Sequence, residues 1–168
     1  RDWIADITKK AIDLGYIHFC LTVDVALYSR RERDLIKRYA PSGRTRNNNG
    51  WEYQAALNWD LVKWFKDTWD IPLILKGIAT AEDAARSVEH GVEVVYVSNH
   101  GGRQLDHGRG TIDMLPEIVR EVDGRAEIVV DGGFCRGADI IKALARGADA
   151  VKLQTYRPDT ITIDCDRE

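Results

Sequence analysis

The chain has 168 residues, 44% hydrophobic and 30% charged, which excludes disordered and fibrous classes and leaves room for one domain with a sizeable core. Lysine and arginine number 24 against 27 aspartate and glutamate, so the formal charge of −3 excludes a basic nucleic-acid footprint, and no apolar run reaches membrane-spanning length. Three cysteines, Cys20, Cys135 and Cys165, form no metal-type cluster with the four histidines, and their odd number without a signal segment fits a reducing, cytoplasmic setting.

The chain opens on Arg1 and reads at once as the middle of a helix without a start signal, the mark of a processed or truncated protein. Ile4, Ile7, Ala11 and Ile12 recur at helical spacing over residues 3–14, and Gly15 supplies the stop. Residues 18–25, HFCLTVDV, read as a buried strand ending in Thr22 and Asp24. From about 26 to 57 runs a long loop, charged at RRERD and rich in Asn and Gly at PSGRTRNNNG; connections of that length are usually functional or mobile. Asn58 is a good N-cap for a helix whose Leu61, Val62, Phe65 and Trp69 make one apolar face. Residues 71–78 form a strand ending in Lys76 and Gly77. Thr80 caps a helix through His90 with Glu82 and Asp83 in its first turn, where the dipole favours negative charge. A strand over 92–97, a helix over 112–122, a strand over 127–130, a helix over 137–145 and a short strand near Ala150 complete the order.

Strand followed by helix, repeated every 25 to 35 residues or so, predicts parallel α/β units. Polar residues collect at the strand ends: Asp24, Lys76, His100 and Asp131. In a (β/α)8 barrel those ends share the face that carries active sites, whereas a doubly wound sheet concentrates ligands at one crevice; reactive groups at every strand end favour the barrel. About five strands are legible where a barrel needs eight and usually about 250 residues, so the fold class is an incomplete TIM barrel.

The sharpest signal is VVYVSNHGGRQ, residues 94–104, an apolar strand that stops at a histidine, two glycines and an arginine. His100 exchanges a proton near neutral pH, Arg103 grips a carboxylate in a two-pronged bond, and the glycines let backbone approach a ligand. Each residue taken alone has an ordinary structural explanation; the compound pattern points to chemistry on a small acid.

Five segments in order, LTVD at 21–24, RRERD at 30–34, LKGI at 75–78, SNHGGRQ at 98–104 and DGG at 131–133, make the chain resemble the C-terminal half of the FMN-dependent L-2-hydroxy acid oxidases and dehydrogenases, over residues 2–151. That group includes glycolate oxidase, lactate oxidase, lactate monooxygenase and mandelate dehydrogenase. The resemblance implies about strands 4 to 8 of a TIM barrel over residues 1–151, followed by a divergent tail over 152–168. It implies FMN as cofactor, a small 2-hydroxy acid as substrate, His100 as the base that takes the α-proton or the hydroxyl proton, and Asp24 as the carboxylate that orients it. Arg103 and Arg31 become the substrate-carboxylate ligands. Lys76 becomes the cation beside flavin N1, and Thr22 and Ser98 partners of the isoalloxazine ring. Asp131, Gly132 and Gly133 become the ribityl and phosphate end, with Arg136 beside them. Lys76 has an independent argument: a lysine stem at the end of an apolar strand is costly without a charged partner.

The chain departs from the family in three respects. Cys135 stands where the family commonly has an arginine, with Arg136 following; residues 152–168 do not resemble the family's ending; and the N-terminal half of the barrel, its implied partner, is absent from the sequence. An isolated half-barrel exposes sheet edges and apolar faces, which favours association, including homo-oligomers. Two alternatives stand beside the enzyme: a catalytically incomplete half-barrel acting in assembly, which turnover by this chain alone would exclude, and a barrel binding another phosphorylated ligand at DGG, which leaves His100 and Arg103 unexplained. The electron acceptor stays open among oxygen, quinone and cytochrome.

Overall fold

The computed structural model describes residues 1–26, 36–38, 55–153 and 162–164. Helix α1 spans Asp2–Asp13 and has no side-chain cap at Arg1, matching the missing start signal. Strand β1, Phe19–Thr22, is followed by α2, Trp59–Thr68, whose first turn is closed by the Asn58 side chain accepting from the Leu61 N–H at 3.0 Å. Strand β2, Leu73–Ile78, leads to α3, Ala81–Glu89, where the Thr80 hydroxyl accepts from the Asp83 N–H at 3.1 Å. Next come β3, Val94–Val97, a 3₁₀ turn at His100–Gly102, and α4, Thr111–Val122. Then β4, Glu127–Val130, α5, Gly137–Ala145, and β5, Ala150–Lys152, complete the alternation, and a short β6, Thr162–Asp164, follows.

The sheet runs β1-β2-β3-β4-β5-β6 in chain order. Its first five strands are parallel, and β6 pairs antiparallel with β5. The five-stranded α/β order expected of part of a barrel is therefore present. The strand through residues 162–164 was not expected, since that segment reads as unrelated tail. β2 reaches Ile78 as its pattern predicts, but through an irregularity, where Lys76 pairs with Tyr96 and Ile78 pairs with Val97. Gly77 absorbs that shift.

One face of the sheet carries Leu21, Leu73, Leu75, Val95, Val97, Ile128, Val130 and Val151, all buried in a single cluster with the helix stripes of Leu61, Phe65, Ala84, Leu115, Ile118, Ile140 and Ala143. Since side chains alternate along a strand, Thr22, Lys76 and Tyr96, which are in register on β1, β2 and β3, turn to the opposite face. Helix α1 buries Ile4 and Thr8 rather than the whole expected stripe; Ile7 and Ile12 stay about 40% exposed. Among the described residues α1 meets the core only along the one i, i+4 line, because β1 is the edge strand there. No helix of the described residues is long and apolar enough to cross a membrane.

Glu93, just before β3, ties two units together. It accepts from the Lys66 ammonium on α2 and, at 2.8 Å, from the Leu73 N–H that starts β2. Partial burial pushes its carboxyl up, but those two hydrogen bonds outweigh it and hold the group below the ordinary glutamate value. A depressed folded-state value stabilises the fold above the unfolded value, and the contribution is lost as pH falls through the folded one. Glu93→Gln is expected to cost about 1 kcal/mol or less near neutrality, because the pair is partly solvent-screened, and to make the acid limb of stability shallower. Urea unfolding between pH 3 and 7 measures both.

Candidate active site

The site lies at the C-terminal ends of β1 to β5. The ladder continues one step beyond two strands, with the Val23 N–H bonded to the Lys76 carbonyl at 2.8 Å and the Asp131 N–H to the Val97 carbonyl at 3.1 Å. This holds the residues that follow the apolar runs in fixed positions. Asp24 and His100 meet across 76 residues of sequence: His100 Nδ1 lies 2.9 and 3.0 Å from the two Asp24 carboxylate oxygens. An acceptor-only carboxylate fixes the proton on Nδ1 and leaves Nε2 as the nitrogen able to take a second one. Both side chains are mostly buried, at 22% and 15% exposure, so water competes weakly for the bond.

His100 has a positive φ of 57°, costly for a residue with a Cβ. The turn is held by Asn99, whose side chain accepts from the Gly102 N–H at 3.1 Å and donates to the Arg109 carbonyl at 3.1 Å, and by Ser98, whose hydroxyl accepts from the His100 N–H at 3.2 Å. Arg109 in turn reaches Glu117 on α4 at 2.8 Å. Arg103 donates through Nε to the His100 carbonyl at 3.0 Å, and no hydrogen bond among the described residues engages its outer guanidinium nitrogens.

Gly77 makes the Asp24 position possible. With φ at 111°, its missing Cβ would lie 2.6 Å from both Cβ and Cγ of Asp24. The irregularity in β2 therefore opens the space in which the carboxylate stands.

A second group of charges surrounds Asp131. Lys76 lies 3.8 Å from its carboxylate, with both side chains 13% exposed, and donates to the buried Ser98 hydroxyl at 3.1 Å. The Tyr96 hydroxyl donates to the same Asp131 oxygen at 2.9 Å. Burial, then the Asp131 charge and that hydrogen bond, push the Tyr96 phenol far above its ordinary value, so it stays protonated and a donor. The other Asp131 oxygen is buried with no hydrogen-bond partner among the described residues, an opening for a ligand hydroxyl. Gly132 follows at φ 101°, its missing Cβ position 3.1 Å from the Thr111 hydroxyl, which itself donates to the Asp131 carbonyl.

Lys76, His100, Arg103, Asp131, Gly132, Gly133, Cys135 and Lys152 line one cavity of about 300 Å³. The fold thus brings together His100, Asp24, Arg103, Lys76, Ser98, Asp131, Gly132 and Gly133. Thr22 is in register with Lys76 but does not line the cavity. Arg136 is exposed and outside it; its backbone N–H, with that of Cys135, is taken by Asp139, whose carboxyl those bonds hold below the usual aspartate range. Arg31 lies outside the described residues. Thr111 and Lys152 are site residues that lie in no sequence motif, and Tyr96 and Asn99 lie inside VVYVSNHGGRQ without a role that the motif itself reveals. Among the described residues no group of three His, Cys, Asp or Glu side chains could hold a metal ion.

The model of a family described as FMN-dependent dehydrogenase matches residues 1–154. The chain is 41% identical over 167 residues to an L-lactate oxidase of Nostoc sp., covering 86% of this chain and 46% of that one. It is 39% identical over 169 residues to a peroxisomal (S)-2-hydroxyacid oxidase of Arabidopsis thaliana, covering 90% and 47%. A crystal structure of mandelate oxidase superposes with a TM-score of 0.76 at 40% identity, over 87% of this chain and 45% of that one. A mandelate oxidase mutant with (S)-mandelic acid gives 0.78 at 41% identity, over 87% and 43%. The chain spans about half the length of the curated relatives it matches.

Gly77→Ala is expected to destabilise the fold by about 1–3 kcal/mol, through both the positive φ and the contact with Asp24. Part of that loss should return in the Gly77→Ala/Asp24→Gly double variant, which removes the atoms in the way; a denaturant double-mutant cycle reads the coupling.

Proposed function

We propose that this chain, which belongs to the FMN-dependent dehydrogenase family, carries the proton-transfer and cofactor-facing half of an enzyme that oxidises an L-2-hydroxy acid to the 2-oxo acid with FMN. The observation that supports this most is the His100–Asp24 pair, with Arg103 bound to the same turn and Lys76 lining the same cavity. FMN, when bound, supplies a two-electron acceptor.

The residues present fit that cofactor. Asp131 offers an unpartnered carboxylate oxygen for a ribityl hydroxyl, the turn at residues 132–133 offers backbone N–H groups for a phosphate, and Lys76 offers a fixed positive charge where negative charge develops. Thr22 and Ser98 face the ring in this reading, and Arg136 lies beyond the phosphate. Arg103 holds the substrate carboxylate in a two-pronged bond, joined by Arg31. That fixes the acid so that its α-carbon and hydroxyl stand before Nε2 of His100. Nε2 accepts one proton, from the hydroxyl or from the α-carbon, and the second hydrogen and the two electrons would pass to the acceptor that FMN supplies; Asp24 stabilises the resulting imidazolium and prevents the ring from turning. The remaining barrel strands complete the pocket as the chain's partner, in a homo-oligomer. The cytoplasm is the compartment that the cysteine usage favours, although four relatives are named peroxisomal.

Anaerobic addition of L-lactate, glycolate or (S)-mandelate should bleach the flavin absorbance of the FMN-loaded protein with its remaining barrel strands restored. His100→Ala should retain flavin while the bleaching rate falls by about two to four orders of magnitude. Failure of the restored protein to bind FMN would overturn the reading.

A further inference from the structure

Lys152 is the last residue of β5 and belongs to no motif. Its neighbour Val151 pairs in register with Val130 on β4, and both are fully buried against the helices. The next residues on the two strands, Lys152 and Asp131, therefore turn side by side to the opposite face. Asp131 is engaged there by Lys76 and Tyr96. Among the described residues no ion pair reaches the Lys152 ammonium, whose defined neighbour is the Tyr96 ring at 6.0 Å; Lys76 lies 5.2 Å from the same ring.

A half-buried ammonium without an anion is costly, and the cavity holds an excess of positive charge. Asp24 is paired with His100, which leaves Lys76, Arg103 and Lys152 against Asp131 alone. The surplus is divided in space. Arg103 follows β3, and Lys152 is on β5, two inter-strand spacings or about 10 Å along the sheet, next to the turn at residues 132–133. A small 2-hydroxy acid reaches one of these cations; a ligand reaching both needs a second anionic end.

We propose that Lys152 is a cofactor-binding residue whose ammonium holds the phosphate of FMN, together with backbone N–H groups of the turn at residues 132–133. The assignment rests on the flavin reading and adds to it the cation for the phosphate end.

FMN and riboflavin differ only in the phosphate, so titrating each against the protein with its remaining barrel strands restored, by quenching of flavin fluorescence, isolates that contact. Lys152→Met, which keeps the stem, should weaken FMN binding about tenfold or more and leave riboflavin binding within about twofold. Lys152→Arg should preserve the preference for FMN. Should the methionine disturb packing by circular dichroism, Lys152→Gln repeats the test. An unchanged FMN-to-riboflavin preference in a folded Lys152→Met or Lys152→Gln chain overturns the assignment. Absence of binding of either flavin to the unsubstituted protein with its remaining barrel strands restored appears before any substitution is made and overturns the flavin reading itself, and this assignment with it.

Discussion

The alternation of side chains across a parallel sheet that is greasy on one face is the constraint on which the rest depends. Leu75, Val95, Val97, Val130 and Val151 must face the helices, and each such burial is worth about 1.5–3 kcal/mol. A slip of one residue in any strand would turn that set outward and bring the charged set into the core. The same rule that secures the core therefore determines which side chains face the site. Thr22, Lys76 and Tyr96 share a row because Leu21, Leu75 and Val95 share the one below it.

The site departs from regularity only where its chemistry needs it. Two carboxylates stand in one small region, and the fold keeps their partners distinct. Asp24 meets the imidazole in a space opened by the irregular strand at Gly77, while Asp131 is held by a phenol and an ammonium from the two preceding strands. Each of the two carboxylates has its counter-group before any ligand arrives, which lowers the cost of ordering the site on binding. The strained backbone at His100 persists because Ser98 and Asn99 tie down the turn on both sides of it.

Most of the architecture was legible in the chain. Asn58 and Thr80 announce their helices because a cap is a local contact, complete within three residues. The β4 strand and α5 helix fall at the boundaries read from their patterns. What escaped is what depends on partners distant in sequence. Tyr96 reads as one more bulky strand residue, since its hydrogen bond is to a carboxylate 35 residues later. Lys152 reads as the first residue of an unrelated tail, because its orientation follows from a register that no local pattern reports. The apolar stripe on α1 is visible in sequence, but how much of it meets the core depends on which strands lie beside it, and Ile7 and Ile12 remain outside. Arg31, whose role is implied by the resemblance alone, lies outside the described residues.

The strand order of the sheet is also the order of the chain. Each of the five parallel strands finds its neighbour across a single crossover, with none inserted later between two that already pair. Folding can then proceed by accretion, one strand and helix at a time, with loop closure limited to one unit at each step. It also makes the connections interchangeable in kind: a nick or an insertion in one crossover leaves the pairing logic of the others intact.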